Sequence, residues 1–175
     1  MSDAVQIEVR RLAGAELEEH LDELAAVLAD CVDGGASVGF LPPLTRARAV
    51  EFWRRQAAGV DDGTAPVFVA RLDGPIVGTV QLKLAQFENQ SHRADVAKLL
   101  VHSSARRRGV AQALTARLED EARSLGRWLL VLDTLEGSDA ERLYRRLGWR
   151  PAGSIPDYAL VPGGSAATTL FWKRL

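Results

Sequence analysis

The sequence of 175 residues carries 22 Lys and Arg against 23 Asp and Glu, so its formal net charge is −1. This balance argues against a general nucleic-acid binder, which carries a clear basic excess to contact phosphates. The single cysteine, Cys31, excludes an internal disulfide, and the apolar runs are far shorter than the roughly 20 residues that cross a bilayer. We therefore expect one globular domain over residues 1–175, located in the cytoplasm.

The first third of the chain predicts one strand and two helices. Residues 5–12 alternate like a strand, and leucines then recur at three- and four-residue spacing, which is one apolar helix face. Gly34-Gly35 is expected to end this first helix. After a loop with two prolines, a second helix is predicted over residues 45–58, and its aromatic pair Phe52-Trp53 is interpreted as core packing.

The middle of the chain changes to strand patterns. Residues 66–72 and 76–85 flank Asp73-Gly74-Pro75, a turn sequence, and together predict a β-hairpin. Residues 94–101, with the sequence ADVAKLLV, form a third apolar run. We expect this run to be another strand of the same sheet.

The last part of the chain returns to alternation between helix and strand. Its predicted elements are a long helix at 109–125, a central strand at 127–134, a short helix opened by the capping box Ser138-x-x-Glu141, and two strands near 149–155 and 168–174. The complete order, β-α-α-β-β-β-α-β-α-β-β, predicts an α/β protein with a mixed sheet and helices on both faces.

The segment Arg106–Ala111, RRRGVA, lies between the third strand and the long helix. The first turn of a helix has free backbone N–H groups and a partial positive charge. Gly109 has no side chain, so an anion can approach the backbone there, and the arginines add formal charge. These features predict a cradle for a phosphate or pyrophosphate, with an ordinary surface turn as the alternative.

The pattern Arg106-x-x-Gly109-x-Ala111 after KLLV resembles the acyl-CoA signature of the GCN5-related N-acetyltransferases, the GNAT family. The similarity covers nearly the whole chain and includes LYRRLGW at 143–149, which looks like the tyrosine-bearing segment of that family. HRADVAKLLV, VLDTLEGSDAERLY and SIPDYAL resemble the branch that contains the tabtoxin-resistance acetyltransferases, whose members acetylate small amine-bearing molecules. The resemblance implies a mostly antiparallel mixed sheet of about six or seven strands.

The resemblance also implies acetyl-CoA as co-substrate and indicates where it binds. The strand that ends near residue 101 is expected to pair with the pantetheine arm, and the following turn to wrap the pyrophosphate through its N–H groups. The implied cofactor-binding residues are Leu99, Leu100, Val101, Arg106, Arg107, Arg108, Gly109, Val110, Ala111 and Gln112. No spacing of His, Cys, Asp or Glu suggests a metal site, so we expect no metal.

Acetyl transfer from a thioester to an amine needs a base, because an alkyl ammonium with a pKa of about 10 is not a nucleophile at neutral pH. Asp95 and Asp133 match acidic positions of the tabtoxin-resistance branch and are the candidate bases. Asp95 stands where that branch usually has glutamate, so its shorter reach favours proton transfer through a water. For Asp133 the alternative is a cap on the following turn.

Tyr144 is the candidate acid for the departing thiolate. It shares a helix face with apolar residues, so its ring should point inward, and it matches the tyrosine that many GNAT members place near the CoA sulfur. The alternative is a buried tyrosine with a structural role. The acceptor pocket is expected to come from the loop 37–41, the predicted hairpin and the SIPDY segment. The candidate substrate contacts are Gln81, His92, Phe40, Asp157 and Tyr158.

The sequence thus predicts an N-acetyltransferase that moves an acetyl group from acetyl-CoA to a primary amine of a small molecule by direct attack in a ternary complex. Two alternatives remain open: acetylation of a protein N-terminus or lysine, and a non-catalytic acyl-CoA-binding module. We expect no nucleic-acid or membrane partner. A homodimer is compatible with the fold that the resemblance implies.

Overall fold

The computed structural model describes residues 6–175, which form one seven-stranded sheet with helices on both faces. The strand order is β1-β2-β3-β4-β5-β7-β6. The strands are β1 (Ile7–Arg11), β2 (Val67–Leu72), β3 (Ile76–Leu84), β4 (Arg93–Val101), β5 (Leu129–Leu135), β6 (Arg150–Val161) and β7 (Gly164–Arg174). The helices are α1 (Gly14–Glu19), α2 (Leu21–Asp33), α3 (Arg46–Arg54), α4 (Ala57–Asp61), α5 (Val110–Ser124) and α6 (Asp139–Arg146).

The predicted α/β class and the mostly antiparallel mixed sheet are confirmed. Every neighbouring pair is antiparallel except β4 and β5, which run parallel. The predicted strand at 5–12 begins at Ile7 in the structure, and residue 5 lies outside the described residues.

Several predicted boundaries were wrong, for local or tertiary reasons. The first predicted helix is divided at His20, whose backbone (φ −106°, ψ 14°) leaves the helical region. The helix predicted over 45–58 is also divided, into α3 and α4, although Arg55 and Gln56 between them keep right-handed helical backbone angles. The last two strands are longer than predicted, because β6 and β7 pair as a hairpin that extends past the end of β5. Cross-strand pairing overrides the weak strand propensity of Gly and Pro in β6.

Two hydrophobic layers enclose the sheet. Helices α1 to α4 pack on one face, where the Trp53 side chain is fully buried and its Nε1 donates to Leu24 O at 3.0 Å. Helices α5 and α6 cover the other face. On that face Gly78 lets α5 approach closely, since a Cβ there would lie 2.9 Å from Val110 Cγ1. This contact fixes the first turn of α5 against β3.

Between residues 6 and 175, no helix is long and apolar enough to span a bilayer.

The sheet opens between its two parallel strands. Strands β4 and β5 pair only where Arg93–Asp95 meets Leu129–Val131. Beyond this point β4 stays with β3 and β5 stays with β7, so the carboxyl ends of the parallel strands separate. The break leaves one edge of β4 without a strand partner and makes a cleft that connects the two faces of the sheet. Ligands of open α/β sheets bind at this kind of position.

Candidate active site

The free edge of β4 presents backbone groups to the cleft. On the other edge, His102 N–H donates to Val77 O of β3 at 2.9 Å. Because N–H directions alternate along a strand, the Val101 N–H points away from β3 and toward the separation from β5. The predicted residues Leu99, Leu100 and Val101 therefore form the part of β4 that an extended ligand chain can pair with.

The start of α5, which is the predicted anion cradle, has no side-chain cap. Helices α3 and α6 begin with side-chain caps from Thr45 and Ser138, whereas α5 begins at Gly109 with no side-chain cap. The first intrahelical bond runs from Ala113 N to Gly109 O at 3.0 Å. The N–H groups of residues 110–112 are therefore free to bind an anion. Gly109 has φ 84°, a conformation that favours glycine.

The three arginines before α5 differ in their freedom. Arg106 is anchored, with its Nε donating to Val101 O at 3.3 Å and its Nη2 3.9 Å from Asp30. Arg107 and Arg108 are exposed. Arg107 also has a left-handed backbone, φ 61°, which turns the chain before the helix. The anchored arginine shapes the cradle, and the exposed pair adds positive charge to it.

Tyr144 lies on α6, buried against Trp149 and Phe171 with ring centroids 5.6 and 6.1 Å away. Burial raises the pKa of its phenol, and the Asp133 carboxylate adds to this rise. The phenol therefore stays protonated throughout the neutral range. The effect of Asp133 reaches Tyr144 even though the two lie on opposite faces of the sheet, because Asp133 stands at the cleft.

Asp95 and Asp133 lie on the face opposite α5 and α6, on the two strands that separate. Asp95 is paired with Val131 across the parallel ladder, and Asp133 is two residues further along β5 on the same face. Burial raises the pKa of Asp95, Arg93 and Lys83 lower it, and Asp133 raises it. Asp95 is therefore a stronger base than an ordinary aspartate.

Replacing Asp133 with asparagine is expected to lower the pKa of Asp95. The neighbouring negative charge disfavours ionised Asp95, so its removal makes ionisation easier and moves the titration toward the ordinary value of 3.8. Carboxyl-carbon NMR titration of Asp95 in the parent and in Asp133→Asn measures the shift directly. An unchanged titration would show that the two carboxylates are not coupled.

The alternative role of Asp133 as a turn cap is not supported by the hydrogen bonds of that turn. Glu136 N donates to Ala167 O at 3.0 Å and Ser138 N donates to Leu135 O at 3.2 Å. Gly137 N donates to the Glu141 carboxylate. The Asp133 side chain therefore does not cap this turn, and it is exposed at the cleft.

The predicted substrate contacts divide into two groups. Gln81 is fully buried on β3 beside β4, and Phe40 packs edge-on against Phe52 of α3 at 5.4 Å. Both lie on the α1–α4 side of the sheet, as Asp95 and Asp133 do. Gln81 donates to Gln56 Oε1 at 3.2 Å, while its own Oε1 is buried without a partner among the described residues.

The other three predicted contacts lie elsewhere. His92 precedes β4, at the end of the sheet opposite the cleft, and stacks on Trp128 at 4.4 Å. Asp157 and Tyr158 lie in the irregular part of β6, past the residues that pair opposite β5. Tyr158 is half-exposed there, and the Asp157 carboxylate accepts from Ser165. The structure does not bring these three side chains together with the carboxylates.

Sequence reasoning missed two lysines at the site. Lys83 of β3 lowers the pKa of Asp95 by its charge, and Asp133 raises the pKa of Lys98 of β4, so both lysines act on the carboxylates. Phe52, interpreted as core, is half-buried, and its ring lies 5.2 Å from Lys98 Nζ. The available signal was a lysine inside an otherwise apolar strand, ADVAKLLV, where a buried ammonium needs a reason.

The fold and the site together define an acyltransferase whose acyl donor is a thioester joined to a nucleotide. The start of α5 has no side-chain cap, and the free edge of β4 leads from it toward two carboxylates and a phenol. Comparison with known proteins agrees. Residues 21–149 match the profile of a family described as "Acetyltransferase (GNAT) family". An uncharacterized N-acetyltransferase from the hisH-hisA intergenic region of Azospirillum brasilense is 33% identical over 118 residues, 66% of this chain and 68% of that protein.

Solved structures share the fold. An N-acetyltransferase from Staphylococcus aureus Mu50 superposes with a TM-score of 0.80 at 18% identity, over 97% of this chain and 98% of that one. YncA from Salmonella typhimurium, determined with its cofactor acetyl-CoA, gives 0.77 at 19% identity, over 97% and 94%. The chain therefore belongs to the GNAT family, and it is an acyl-CoA-dependent N-acetyltransferase.

Proposed function

We propose that the protein transfers the acetyl group of acetyl-CoA to a primary amine of a small molecule, by direct attack within a ternary complex. The observation that carries this proposal is the cleft, where Asp133 lies on the same face of the separating strands as Asp95 and raises the pKa of both Asp95 and Tyr144. A non-catalytic acyl-CoA-binding module has no use for a base and an acid at that point.

The residues around the cleft fit acetyl-CoA as co-substrate. In this proposal the free N–H groups of residues 110–112 and the side chains of Arg107 and Arg108 bind the pyrophosphate. The edge of β4 from Leu99 to Val101 pairs with the pantetheine arm, which leads the thioester toward the carboxylates. The Val101 N–H, directed into the cleft, is the donor for the thioester oxygen as negative charge grows on it.

The chemistry removes two protons from the acceptor ammonium and places one proton on the departing sulfur. The acceptor amine loses a proton to Asp95, directly or through a water, and its lone pair attacks the thioester carbonyl carbon. A C–N bond forms, the C–S bond breaks, and the sulfur leaves with the electron pair. Tyr144, which keeps its proton at neutral pH, donates it to that sulfur, and the acylated nitrogen gives its second proton back to the phenolate, which leaves a neutral amide. Asp133 holds the incoming ammonium near Asp95 by charge attraction.

A screen for CoA thiol release tests this function. The purified protein is mixed with acetyl-CoA and a panel of small primary amines, with peptides bearing a free N-terminus or an internal lysine in parallel. Turnover of small amines supports the proposal. Turnover of peptides alone would establish the protein-acetylating alternative, and tight acetyl-CoA binding with no turnover of either panel would establish the binding module.

Asp133→Asn is expected to lower kcat/KM for the acceptor at least about tenfold, because the ammonium loses its charged partner while acetyl-CoA binding does not use this group. Steady-state kinetics at saturating acetyl-CoA measures the loss. Asp120→Asn, which removes an exposed carboxylate from the outer face of α5, is the matched control. An unchanged rate in Asp133→Asn would remove that residue from acceptor binding.

We further propose a single GNAT domain, closest to the tabtoxin-resistance branch, that pairs as a homodimer. The support for pairing is the outer strand β6, which leaves Ile155, Tyr158 and Leu160 exposed along a sheet edge. Unpaired edges with apolar side chains favour contact with another chain. Light scattering on the purified protein distinguishes a dimer from a monomer.

A further inference from the structure

Four charged side chains lie on the α1–α4 side of the cleft, which is the acceptor side in the proposed function. They are Lys83, Asp95, Lys98 and Asp133. Lys83 of β3 stands opposite Asp95 of β4 in the antiparallel ladder. Lys98 of β4 and Asp133 of β5 lie close enough for each to act on the other's charge. The four groups are two negative and two positive, and Arg93 beside Asp95 adds a third positive charge.

These charges act on one another without closing into ion pairs. Among residues 6–175, the one ion pair within 4.0 Å that involves any of the four joins Arg93 to Asp95 at 3.8 Å. Among the same residues, Lys83, Lys98 and Asp133 have no ion-pair partner within 4.0 Å. Charged groups that interact at longer range without pairing keep their charges available to a ligand.

The position of Lys98 is unusual for a lysine. Its backbone has φ 53° at an irregularity of β4, where the pairing with β3 shifts register and Thr79 Oγ1 donates to Lys98 O at 2.9 Å. A left-handed, non-glycine residue inside a strand costs conformational energy, and such strain is concentrated at functional positions. The distortion directs the lysine to the acceptor side of the sheet.

The Lys98 side chain is partly buried, and no anion between residues 6 and 175 lies within 4.0 Å of its ammonium. The Phe52 ring lies 5.2 Å away, and a Cβ added to Gly39 of the loop before α3 would lie 3.9 Å from Nζ. Burial lowers the pKa of Lys98, Lys83 lowers it further, and Asp133 opposes both. An anion bound between two neighbouring ammonium groups stabilises the charged form of both.

We propose that Lys98 and Lys83 bind an acidic group of the acceptor, so that the acceptor is a small zwitterion of the amino-acid type. Its amine faces Asp133 and Asp95, and its carboxylate faces the two lysines. This inference rests on the proposed transfer to a small amine and narrows it to a substrate class. It also disfavours polycationic acceptors such as polyamines, because the lysines repel a second ammonium.

The test compares matched acceptors that differ only in their negative charge. Transfer from acetyl-CoA is measured with the standard L-amino acids, with the carboxamides of those that react, and with the corresponding decarboxylated amines. The amine of a carboxamide is less basic than that of its acid, so more of it is unprotonated at neutral pH and protonation alone favours the amide, whereas the decarboxylated amine is more basic than the acid's. We expect the acids to exceed their amides by at least about tenfold in kcat/KM.

The variant Lys98→Met removes the charge and keeps the length of the side chain beside Phe52. We expect it to lower kcat/KM for the acids by about 10- to 100-fold, through KM more than kcat, and to leave the amides unchanged. Lys98→Arg, which keeps the charge, should retain most of the preference. Arg55→Met, which removes an exposed cation from the end of α3, is the control for general charge effects.

Calorimetry separates this inference from the proposed transfer. Amino-acid binding to the CoA-saturated protein that is lost in Lys98→Met supports the lysine site even if no acetyl group moves; in that case only the transfer proposal fails. The inference is overturned if no amino acid binds or reacts. It is also overturned if acids and amides react equally, or if Lys98→Met slows both to the same extent, which would assign Lys98 to the transfer step.

Discussion

A glutamate in place of Gly109 is expected to raise the Kd for acetyl-CoA at least about 100-fold, while the fold remains intact. The added carboxylate would stand at the start of α5, where the free N–H groups are proposed to bind the pyrophosphate, and would repel it. The fold tolerates the side chain, because a Cβ at this exposed position would meet only Ile7 Cδ1, at an ordinary 3.6 Å. Calorimetry with acetyl-CoA measures the loss of affinity.

Backbone strain must be separated from this charge effect, because Gly109 has φ 84°. A side chain in the left-handed region costs about 1–2 kcal/mol, whatever its charge. Gly109→Gln carries the same strain without the carboxylate and should lose much less affinity than Gly109→Glu. Gly163→Glu places the same residue at φ 88° in the turn between β6 and β7. It should lower the melting temperature as much as Gly109→Glu does and leave acetyl-CoA affinity unchanged. Undiminished acetyl-CoA binding by Gly109→Glu would remove the helix start from the proposed site.

Replacement of Tyr144 by phenylalanine is expected to lower the rate of acetyl transfer about 100-fold and to leave acetyl-CoA affinity within about twofold. The ring keeps its contacts with Trp149 and Phe171, so only the hydroxyl is lost. Without a donor, the sulfur must leave as an unassisted thiolate. Single-turnover kinetics is the proper measurement, since slow product release can mask a change in the chemical step.

The same variant distinguishes the acid from a structural tyrosine. A purely structural role predicts a lower melting temperature with transfer unchanged. The acid role predicts slower transfer with the melting temperature unchanged. The effect should also depend on the leaving group: a thioester whose thiol has a lower pKa needs less assistance, so the Tyr144→Phe deficit should shrink with it. An equal single-turnover rate in the two proteins would exclude Tyr144 from the mechanism.

If the lysine site and the carboxylates act together, the acceptor is held at two points before it reacts. Two-point binding fixes the direction of the amine as well as its position, which increases the effective concentration of the nucleophile at the thioester. In this arrangement the co-substrate lies along the edge of β4 and the acceptor lies on the α1–α4 side, which the separation of β4 from β5 allows.

Local sequence signals located several of the elements. Apolar periodicity located α5 and the capping sequence Ser138-x-x-Glu141 located the start of α6. Gly109 after three arginines indicated the turn before α5, and its role in anion binding stays a prediction. These signals succeed because they depend on residues within one or two turns of each other. The same signals failed in β6, where pairing with the long strand β7 decides the conformation.

Only the tertiary structure decided which charged residues meet. Lys83 and Asp95 are 12 positions apart and Asp133 lies 38 positions beyond Asp95, yet the sheet brings all three to one face. His92, only three positions before Asp95, lies away from the cleft because it precedes the strand. The physical reason is that strand order and the early end of the β4–β5 pairing are long-range properties of the sheet. They depend on contacts that no local pattern in the chain encodes.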